Sequence, residues 1–225
     1  MRRPIPRLIP LLLALFCATP PAAAGAWMRE AGHGFLALSG TARQGDPDAQ
    51  QELSVYADLG LSPRLALGVD VNERPGIAGH ALLFARLPLS RPTARTRLAV
   101  EAALGGHHWR GTWDPMYRLT LSLGRGFRTR RGAGWYAVDA GYERRLGTPT
   151  PIYKLDATLG LSAPGHLHPI LQVETALIPG QPLAWTLSPG LLIDRRRNAT
   201  WLIGLERKSA GRDTIGIKLA LWHRF

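Results

Sequence analysis

Charged side chains recur at alternate positions along many short stretches of this 225-residue chain. Most of their neighbours two residues away are small or polar, whereas the intervening positions are apolar. Such a set could select dissolved ions along a polar surface, or its members could pair and make that surface rigid. The candidates are Asp58, Asp70, Glu101, Arg118, Asp139, Glu143, Lys154, Asp156, Glu174, Glu206 and Lys218.

Catalysis would need a different arrangement of side chains. A hydrolase combines a serine nucleophile with a histidine base and an orienting polar group. The seven histidines fall mainly in connections or near strand ends, and none forms a His-x-Ser pair on one strand face. His166 and His168 are by themselves too few ligands for a metal ion. We therefore expect no enzymatic activity, no catalytic residue, no metal and no other cofactor.

The elements that carry the charged residues are predicted to be β-strands, because apolar and polar residues alternate with a period of two. Nine stretches show this alternation cleanly. Three further strands are expected near 32–42, 79–89 and 183–193. Both faces of 79–89 are apolar, which leaves its register open, and Arg86 would have to point away from the apolar surroundings.

The connections between these strands are short and contain the residues that favour turns. The chain has 25 glycines and 18 prolines, many of them between the alternating stretches. The longest connection is expected at 105–115, and no stretch has a helical period. Twelve strands in all are predicted, with ten or fourteen as the neighbouring alternatives.

The first segment is expected to lie outside this fold. Residues 1–24 combine an arginine-rich start, a short apolar stretch over 8–18 and small residues, as a secretory signal does. Cleavage after Ala24 or after Ala26 fits the pattern. The lone cysteine, Cys17, lies inside this segment and follows a phenylalanine, so a lipid anchor is not expected. The division predicted is a signal at 1–24 and one domain at 25–225.

Composition excludes several other classes of protein. A hydrophobic content of 45% is too high for a disordered chain, and a mean hydropathy of −0.06 argues against a membrane protein built of helices. A single cysteine leaves no disulfide framework. The net charge of +12 would suit nucleic acid, but a secreted chain does not meet it, so no nucleic-acid partner is expected.

The last strand carries a family resemblance. The chain ends on Phe225, with Leu219 and Leu221 on the same strand face. This pattern resembles the C-terminal signature of Gram-negative outer-membrane β-barrel proteins, although His223 stands where the signature has an apolar or aromatic residue. The resemblance implies that these three residues form an assembly signal. It also implies a location in the outer membrane and, as partners, its lipids, lipopolysaccharide and the barrel-assembly machinery.

Two further patterns favour a membrane barrel over a soluble one. An even number of strands returns both chain ends to one side of the membrane. Aromatic residues fall near strand ends, where the two membrane interfaces would lie. Trp135, Trp201, Phe127 and Trp222 are expected at the periplasmic interface, and Tyr117, Tyr142, Tyr153 and Trp185 at the outer one. The fold class predicted is an all-β, antiparallel, up-and-down transmembrane β-barrel of about twelve strands.

The function expected from these features is passive. The barrel would be a solute channel for small solutes or a structural protein of the envelope, and its acidic excess predicts a mild preference for cations. The alternatives are a lipid-modifying enzyme of the outer membrane, a periplasmic soluble β-barrel binding protein, and a barrel that assists assembly or export.

Overall fold

Twelve antiparallel strands form one closed barrel, as the alternating pattern predicts. The computed structural model describes residues 25–44, 51–129, 132–162, 165–196, 198–209 and 213–225. The predicted signal at 1–24 therefore lies outside the described residues. The strands are β1 (Gly34–Gln44), β2 (Gln51–Ser62), β3 (Leu65–Arg74), β4 (Ala78–Pro88), β5 (Thr96–Trp109), β6 (Thr112–Thr129), β7 (Gly132–Arg145), β8 (Ile152–Ser162), β9 (Leu167–Leu177), β10 (Ala184–Arg196), β11 (Ala199–Lys208) and β12 (Thr214–Arg224).

The first and last strands close the barrel. Each strand pairs with its neighbours in sequence, and β1 pairs with β12 in antiparallel register. At the seam, the amide of Gly34 donates to the carbonyl of Phe225 at 2.7 Å, and the amide of Phe225 donates back at 3.1 Å. We call the end that holds this seam pair the terminal end of the barrel. Closure leaves no strand edge unpaired, which a bilayer requires because it offers the backbone no hydrogen bonds.

The outer surface of the barrel is apolar. Leu83, Leu104 and Ile215 are each more than 60% exposed, and exposed leucines lie on the outer face of every strand except β7. A soluble barrel has the opposite arrangement, with its apolar face inside. The alternative of a periplasmic soluble barrel is therefore wrong. Among the residues that the structure describes, no helix is long and apolar enough to span a bilayer.

The register of β4, which the sequence left open, follows from the same division into faces. Leu83 and Leu87 face outward and are exposed, whereas Leu82, Phe84 and Arg86 are at most 3% exposed and face the interior. Arg86 points away from lipid, as its charge requires. The two apolar faces of this strand thus serve different purposes: one meets lipid and the other fills the barrel.

The prediction that 105–115 is the longest connection is wrong. Strand β5 continues to Trp109 and β6 begins at Thr112. These two residues are register partners, and thirteen further pairs join the same two strands. Only Arg110 and Gly111 form the turn, with φ of 49° and 88°. Positive φ at both central residues is typical of the type I′ turn, whose twist matches that of the paired strands. The strands therefore extend through a segment that composition alone marks as a loop.

Two of the aromatic residues expected at the membrane interface lie instead inside the barrel. Trp135 is 5% exposed and packs in an apolar cluster with Trp222 at the terminal end. Trp135 has room because Gly160 of β8 lies beneath its indole, where a Cβ would come within 2.4 Å of Nε1. The prediction failed because position near a strand end was considered without the strand face. Trp135 shares its face with Asp139 and not with Tyr136.

A band of tyrosines does lie on the outer face at the other end of the barrel. Tyr117, Tyr142 and Tyr153 come from the neighbouring strands β6, β7 and β8, and successive ring centroids are 6.2 Å and 5.7 Å apart. Amphipathic rings favour the level of the lipid headgroups, where one side meets water. This band agrees with the aromatic girdle expected there.

Candidate functional site

A polar cavity of about 390 Å³ lies inside the barrel. Side chains of β3 to β9 contribute most of its charged wall, because alternate residues of every strand point inward. Carboxylates outnumber cationic side chains on this wall by five to three. The carboxylates are those of Asp70, Glu101, Asp139, Asp156 and Glu174, and the cationic groups belong to Arg86, Arg118 and Lys154.

Arg86 is the centre of the most buried ion-pair network. Its Nη1 donates to Asp58 Oδ2 at 3.0 Å, and its Nη2 donates to Glu101 Oε2 at 2.5 Å and to the Tyr56 hydroxyl. The guanidinium also stacks over the Phe84 ring, 5.2 Å from the ring centroid. Glu101 is the register partner of Arg86 on β5, whereas Asp58 lies two strands away on β2. One arginine therefore ties strands β2, β4 and β5 together inside the barrel.

Arg118 extends this network toward the next strands. Its Nη2 lies 2.7 Å from Asp70 Oδ2 and 3.4 Å from Glu101 Oε1. His80 Nε2 approaches the same Asp70 carboxylate at 3.6 Å. Since Glu101 contacts both arginines, the two networks are continuous. Ion pairs held between several strands in this way restrict the lumen as well as lining it.

A second buried cluster lies at the end of the barrel opposite the terminal end. Arg43 Nη2 is 2.6 Å from Glu206 Oε1 and 2.8 Å from Glu52 Oε2. Lys208 Nζ approaches Glu52 at 3.4 Å. These residues come from β1, β2 and β11. Strands β1 and β2 pair directly, and closure of the barrel brings β11 to within one strand of β1, with β12 between them. The charges of this cluster stabilise the closed arrangement of the first and last strands.

Glycines on the intervening strands make room for these long-range pairs. A Cβ on Gly68 of β3 would lie 2.2 Å from the Phe84 ring, on the wall between Asp58 and Arg86. A Cβ on Gly216 of β12 would lie 2.9 Å from Arg43 Cγ, where Arg43 crosses to Glu206 on β11. The missing side chain on the middle strand therefore lets two charges meet across it.

Looser ion pairs occupy the wall formed by β8, β9 and β12. Lys154 Nζ lies 3.9 Å from Asp156 Oδ2, and Lys218 Nζ lies 3.8 Å from Glu174 Oε1. Lys218 also contacts the Gln172 side chain at 3.4 Å. These separations are long compared with the arginine pairs, and both lysines remain partly exposed to the lumen. The carboxylates on this wall are the least neutralised of the paired ones.

Asp139 of β7 is the exception among the predicted carboxylates, because it has no ion pair within the described residues. Its Oδ1 is buried and accepts no hydrogen bond there. The residue opposite it in register is another acid, Asp156. The seven predicted carboxylates that do form ion pairs are Asp58, Asp70, Glu101, Glu143, Asp156, Glu174 and Glu206.

Residues 25–33 precede β1 and fold into the lumen from the terminal end. The Trp27 ring packs edge-on against Trp135, with centroids 5.9 Å apart, and contributes to the apolar cluster there. Arg29 Nε lies 2.8 Å from Asp58 Oδ1. The amide of Gly32 donates to the carbonyl of Gly60 at 2.8 Å, which fixes the segment to β2. We call residues 25–33 the N-terminal segment, and it narrows this end of the barrel.

The eleven residues predicted from alternation all lie on the inner wall. Seven line the central cavity, while Asp58, Glu143 and Glu206 are buried among ion-pair partners and Lys218 contacts Gln172. Sequence reasoning missed several residues that share this wall. Those missed are Trp27, Arg29, Arg43, Glu52, Asn72 and His80.

Alternation could have found most of the missed residues. Arg43 lies at an even spacing from Thr41 and Ser39 on β1, and Glu52 lies two residues before Ser54 on β2. Both follow the inward period of their strands. Arg29 and Trp27 lie outside any strand, so no period could have placed them.

The C-terminal residues of the predicted assembly signal face outward. Leu219 and Phe225 are at least half exposed, and Leu221 is half-buried. The Phe225 ring lies over Gly34 of β1, where a Cβ would come within 2.3 Å of it. His223, which departs from the signature, stacks on the Phe225 ring with centroids 6.2 Å apart.

The described part of the chain contains no group of three or more His, Cys, Asp or Glu side chains suited to a metal ion. His107 and His108 are buried at the start of the β5–β6 turn. His107 Nε2 contacts the Leu146 carbonyl at 3.1 Å, and His108 Nε2 contacts Glu73 Oε2 at 2.8 Å. Each ring therefore has a hydrogen-bond partner within the barrel.

Comparison with known proteins relates the barrel to a group of solved structures. No protein-family model matches the chain, and no curated protein matches it in sequence. The NanC porin superposes with a TM-score of 0.60 at 10% identity, over 84% of this chain and 98% of NanC. The fold is that of an outer-membrane porin.

Two further structures share this fold. The KdgM porin in complex with disordered oligogalacturonate gives a TM-score of 0.59 at 9% identity, over 85% of this chain and 99% of that one. An outer-membrane channel from Pseudomonas putida F1 gives 0.53 at 11% identity, over 90% and 99%. Together with the apolar outer surface, this likeness assigns the chain to the outer membrane as an integral β-barrel.

Proposed function

We propose that this protein is a narrow channel that carries small cationic and neutral solutes across the outer membrane. The observation that supports this function is the polar cavity inside a lipid-facing barrel, with five carboxylates against three cationic side chains on its wall. A charged wall in a low-dielectric enclosure raises the local concentration of ions of opposite sign. The surplus of carboxylates therefore favours cations.

The acidic surplus is concentrated on one side of the cavity. Asp139 and Asp156 are register partners on β7 and β8, and Glu174 follows on β9. Arg86 and Arg118 lie on the other side, where each contacts two carboxylates. A cation that enters the cavity thus meets an acidic row whose nearest lysines are 3.8 to 3.9 Å from their partners. Asp156 and Glu174 of this row form the proposed selectivity element.

A second role, as a structural protein of the envelope, is favoured by how thoroughly the lumen is filled. Seven of the eight predicted carboxylates are ion-paired among the described residues, and an apolar cluster with Trp27 and Trp222 occupies the terminal end. A sealed barrel of this kind would not conduct. Conductance therefore decides between the two roles.

The test is a planar bilayer containing the barrel purified from outer membranes, with a gradient of potassium chloride. We expect discrete conductance steps and a reversal potential displaced toward the potassium equilibrium potential. Asp156→Asn should reduce that displacement. The control is Asp213→Asn, because Asp213 is exposed just outside β12 and pairs with Arg207, away from the lumen. Anion selectivity would refute the cation channel, and the absence of steps would favour the structural role.

Processing, orientation and assembly belong to the same proposal. We propose that residues 1–24 are removed as a secretory signal and that the terminal end faces the periplasm. Leu219, Leu221 and Phe225 would be recognised by the barrel-assembly machinery, which their outward position supports. Lipid and lipopolysaccharide would contact the apolar outer surface. We propose no enzymatic role, which agrees with the fold being shared with porins and a channel.

A further inference from the structure

The carboxylate of Asp139, which has no ion pair among the described residues, lies beside Gly25, the first of those residues. A Cβ built on Gly25 would be 2.6 Å from Asp139 Oδ1 and 2.6 Å from Ser122 Oγ. Backbone geometry then puts the nitrogen of Gly25 within about 5 Å of that oxygen. Gly25 also lines the central cavity, together with Asp139. Among the described residues, the one predicted carboxylate without an ion pair thus lies beside Gly25, at the start of the N-terminal segment.

The fit of the segment to the wall shows that this placement is specific. Ala26 is 2% exposed, and Trp27 and Ala26 occupy the space over Gly124 of β6, where a Cβ would lie within 2.5 Å of the Trp27 ring. Further along the segment, the carbonyl of Glu30 fills the space over Gly60. Gly60 and Gly124 of the inner wall therefore leave the space in which the segment packs, with Gly25 beside Asp139.

We infer that the chain is processed after Ala24 and that the new α-ammonium group of Gly25 pairs with the Asp139 carboxylate. This inference rests on the proposed removal of the signal. Cleavage of the Ala24–Gly25 peptide bond by water leaves a carboxylate on Ala24 and an amine on Gly25, which takes up a proton near neutral pH. The positive charge then supplies the partner that Asp139 lacks, since a buried carboxylate is unfavourable without one.

The alternative cleavage after Ala26 does not fit the structure. It would remove Gly25 and the buried Ala26, and the amino group would then stand on Trp27, against the apolar cluster. Asp139 would remain beside Asp156 without a counter-ion from the N-terminal segment. Processing after Ala24 instead anchors the segment inside the barrel, so that it restricts the terminal end of the lumen.

The first measurement is the N-terminal sequence and intact mass of the barrel, expressed from the complete gene and extracted from outer membranes. Gly25 as the first residue is expected. A chain that begins at Trp27, or at any other residue, would overturn the inference. This result does not depend on conductance, so failure here and failure of the proposed channel are distinguishable.

The second measurement is the rate at which an acylating reagent modifies the α-amine of the folded barrel near pH 7, read by mass spectrometry of the N-terminal peptide. An ion pair raises the pKa of the amine and so keeps it protonated. Since only the neutral amine is acylated, each unit by which the pKa rises lowers the rate about tenfold. We expect the wild type to react at least about tenfold more slowly than Asp139→Asn. Asp213→Asn is the control, because that carboxylate is exposed outside the lumen and pairs with Arg207, and this variant should react at the wild-type rate.

A second variant covers the case in which Asp139→Asn fails to assemble. Gly25→Ala leaves the wall unchanged, but its Cβ would stand 2.6 Å from the carboxylate oxygen and displace the amino group. We expect it to react about as fast as Asp139→Asn. Equal rates for the wild type and these variants, or a wild-type amine as reactive as in the unfolded chain, would overturn the ion pair.

Discussion

Replacing Arg86 by methionine should destabilise the barrel strongly, since this residue joins three strands through buried charges. The Arg86 side chain is 4% exposed, and those of Asp58 and Glu101 are 0% and 6% exposed. Methionine retains most of the length of the side chain and its packing against Phe84 but removes the charge. Asp58 then loses one of its two arginine contacts, and Glu101 loses the shorter of its two.

The expected magnitude follows from what those carboxylates retain. Breaking a buried ion pair by removing one partner costs about 3 to 5 kcal/mol. Asp58 retains Arg29 at 2.8 Å and Glu101 retains Arg118 at 3.4 Å, so neither is left without a counter-ion. We therefore expect the free energy of unfolding to fall by about 3 kcal/mol, the lower limit of that range. With a guanidinium m-value of about 5 kcal/mol/M, the unfolding midpoint should fall by about 0.6 M.

The assay is equilibrium unfolding of the refolded barrel in detergent micelles, followed by tryptophan fluorescence. The control is Arg207→Met, which makes the same substitution in an ion pair whose side chains are more than half exposed. Solvent screens such a pair, and its loss should leave the midpoint unchanged. Asp213 lies outside the membrane-spanning strands, and the hydrogen bond from Arg207 holds the pKa of its carboxyl below its usual value.

A double-mutant cycle separates the ion pair from the loss of packing. Glu101→Gln should cost less in the Arg86→Met background than in the wild type, with a coupling energy of about 1 to 3 kcal/mol. Additive effects of the two substitutions would show that the pair does not stabilise the barrel. A midpoint for Arg86→Met at or above that of the wild type would refute the reasoning, because methionine would then replace the network without loss.

Two other substitutions test the ends of the chain. Gly124→Ala should displace Trp27, whose ring lies 2.5 Å from the added Cβ, cost about 1 to 3 kcal/mol and raise the conductance. Gly126 lies on the same face of β6, and its added Cβ would meet only one atom, at 3.8 Å, so Gly126→Ala should change neither the stability nor the conductance. Equal behaviour of Gly124→Ala and Gly126→Ala would contradict the proposed restriction of the lumen by the N-terminal segment. Phe225→Ala should lower the amount of folded barrel in outer membranes, because it removes the ring over Gly34 at the seam. Trp201→Ala, an outward aromatic on β11 that is 43% exposed, should assemble normally, and an equal defect would argue against a specific C-terminal signal.

The errors of sequence reasoning have physical causes that particular residues illustrate. The segment 105–115 has loop-like composition, yet the positive φ of Arg110 and Gly111 lets two strands pair through it. Trp135 is close to a strand end, but its face turns it into the lumen. In both cases the local signal was correct about composition or position. Strand pairing decided the outcome at 105–115, and the strand face decided it for Trp135.

The strands, their faces and the inward direction of the charged residues all follow from the order of the amino acids. They do so because a pleated strand alternates its side chains with a period of two, whatever it pairs with. The eleven charged residues on the inner wall follow from that local rule, and so do the leucines on the outer surface.

Which charges meet depends instead on how the strands are arranged in the closed barrel. Arg43 reaches Glu206 because closure brings β1 beside β12, and Arg86 reaches Asp58 because Gly68 leaves room on the strand between them. The same closure forms the enclosure into which the N-terminal segment folds, and thereby brings Gly25 to Asp139. Such contacts join residues far apart in sequence, so a periodic pattern carries no information about them.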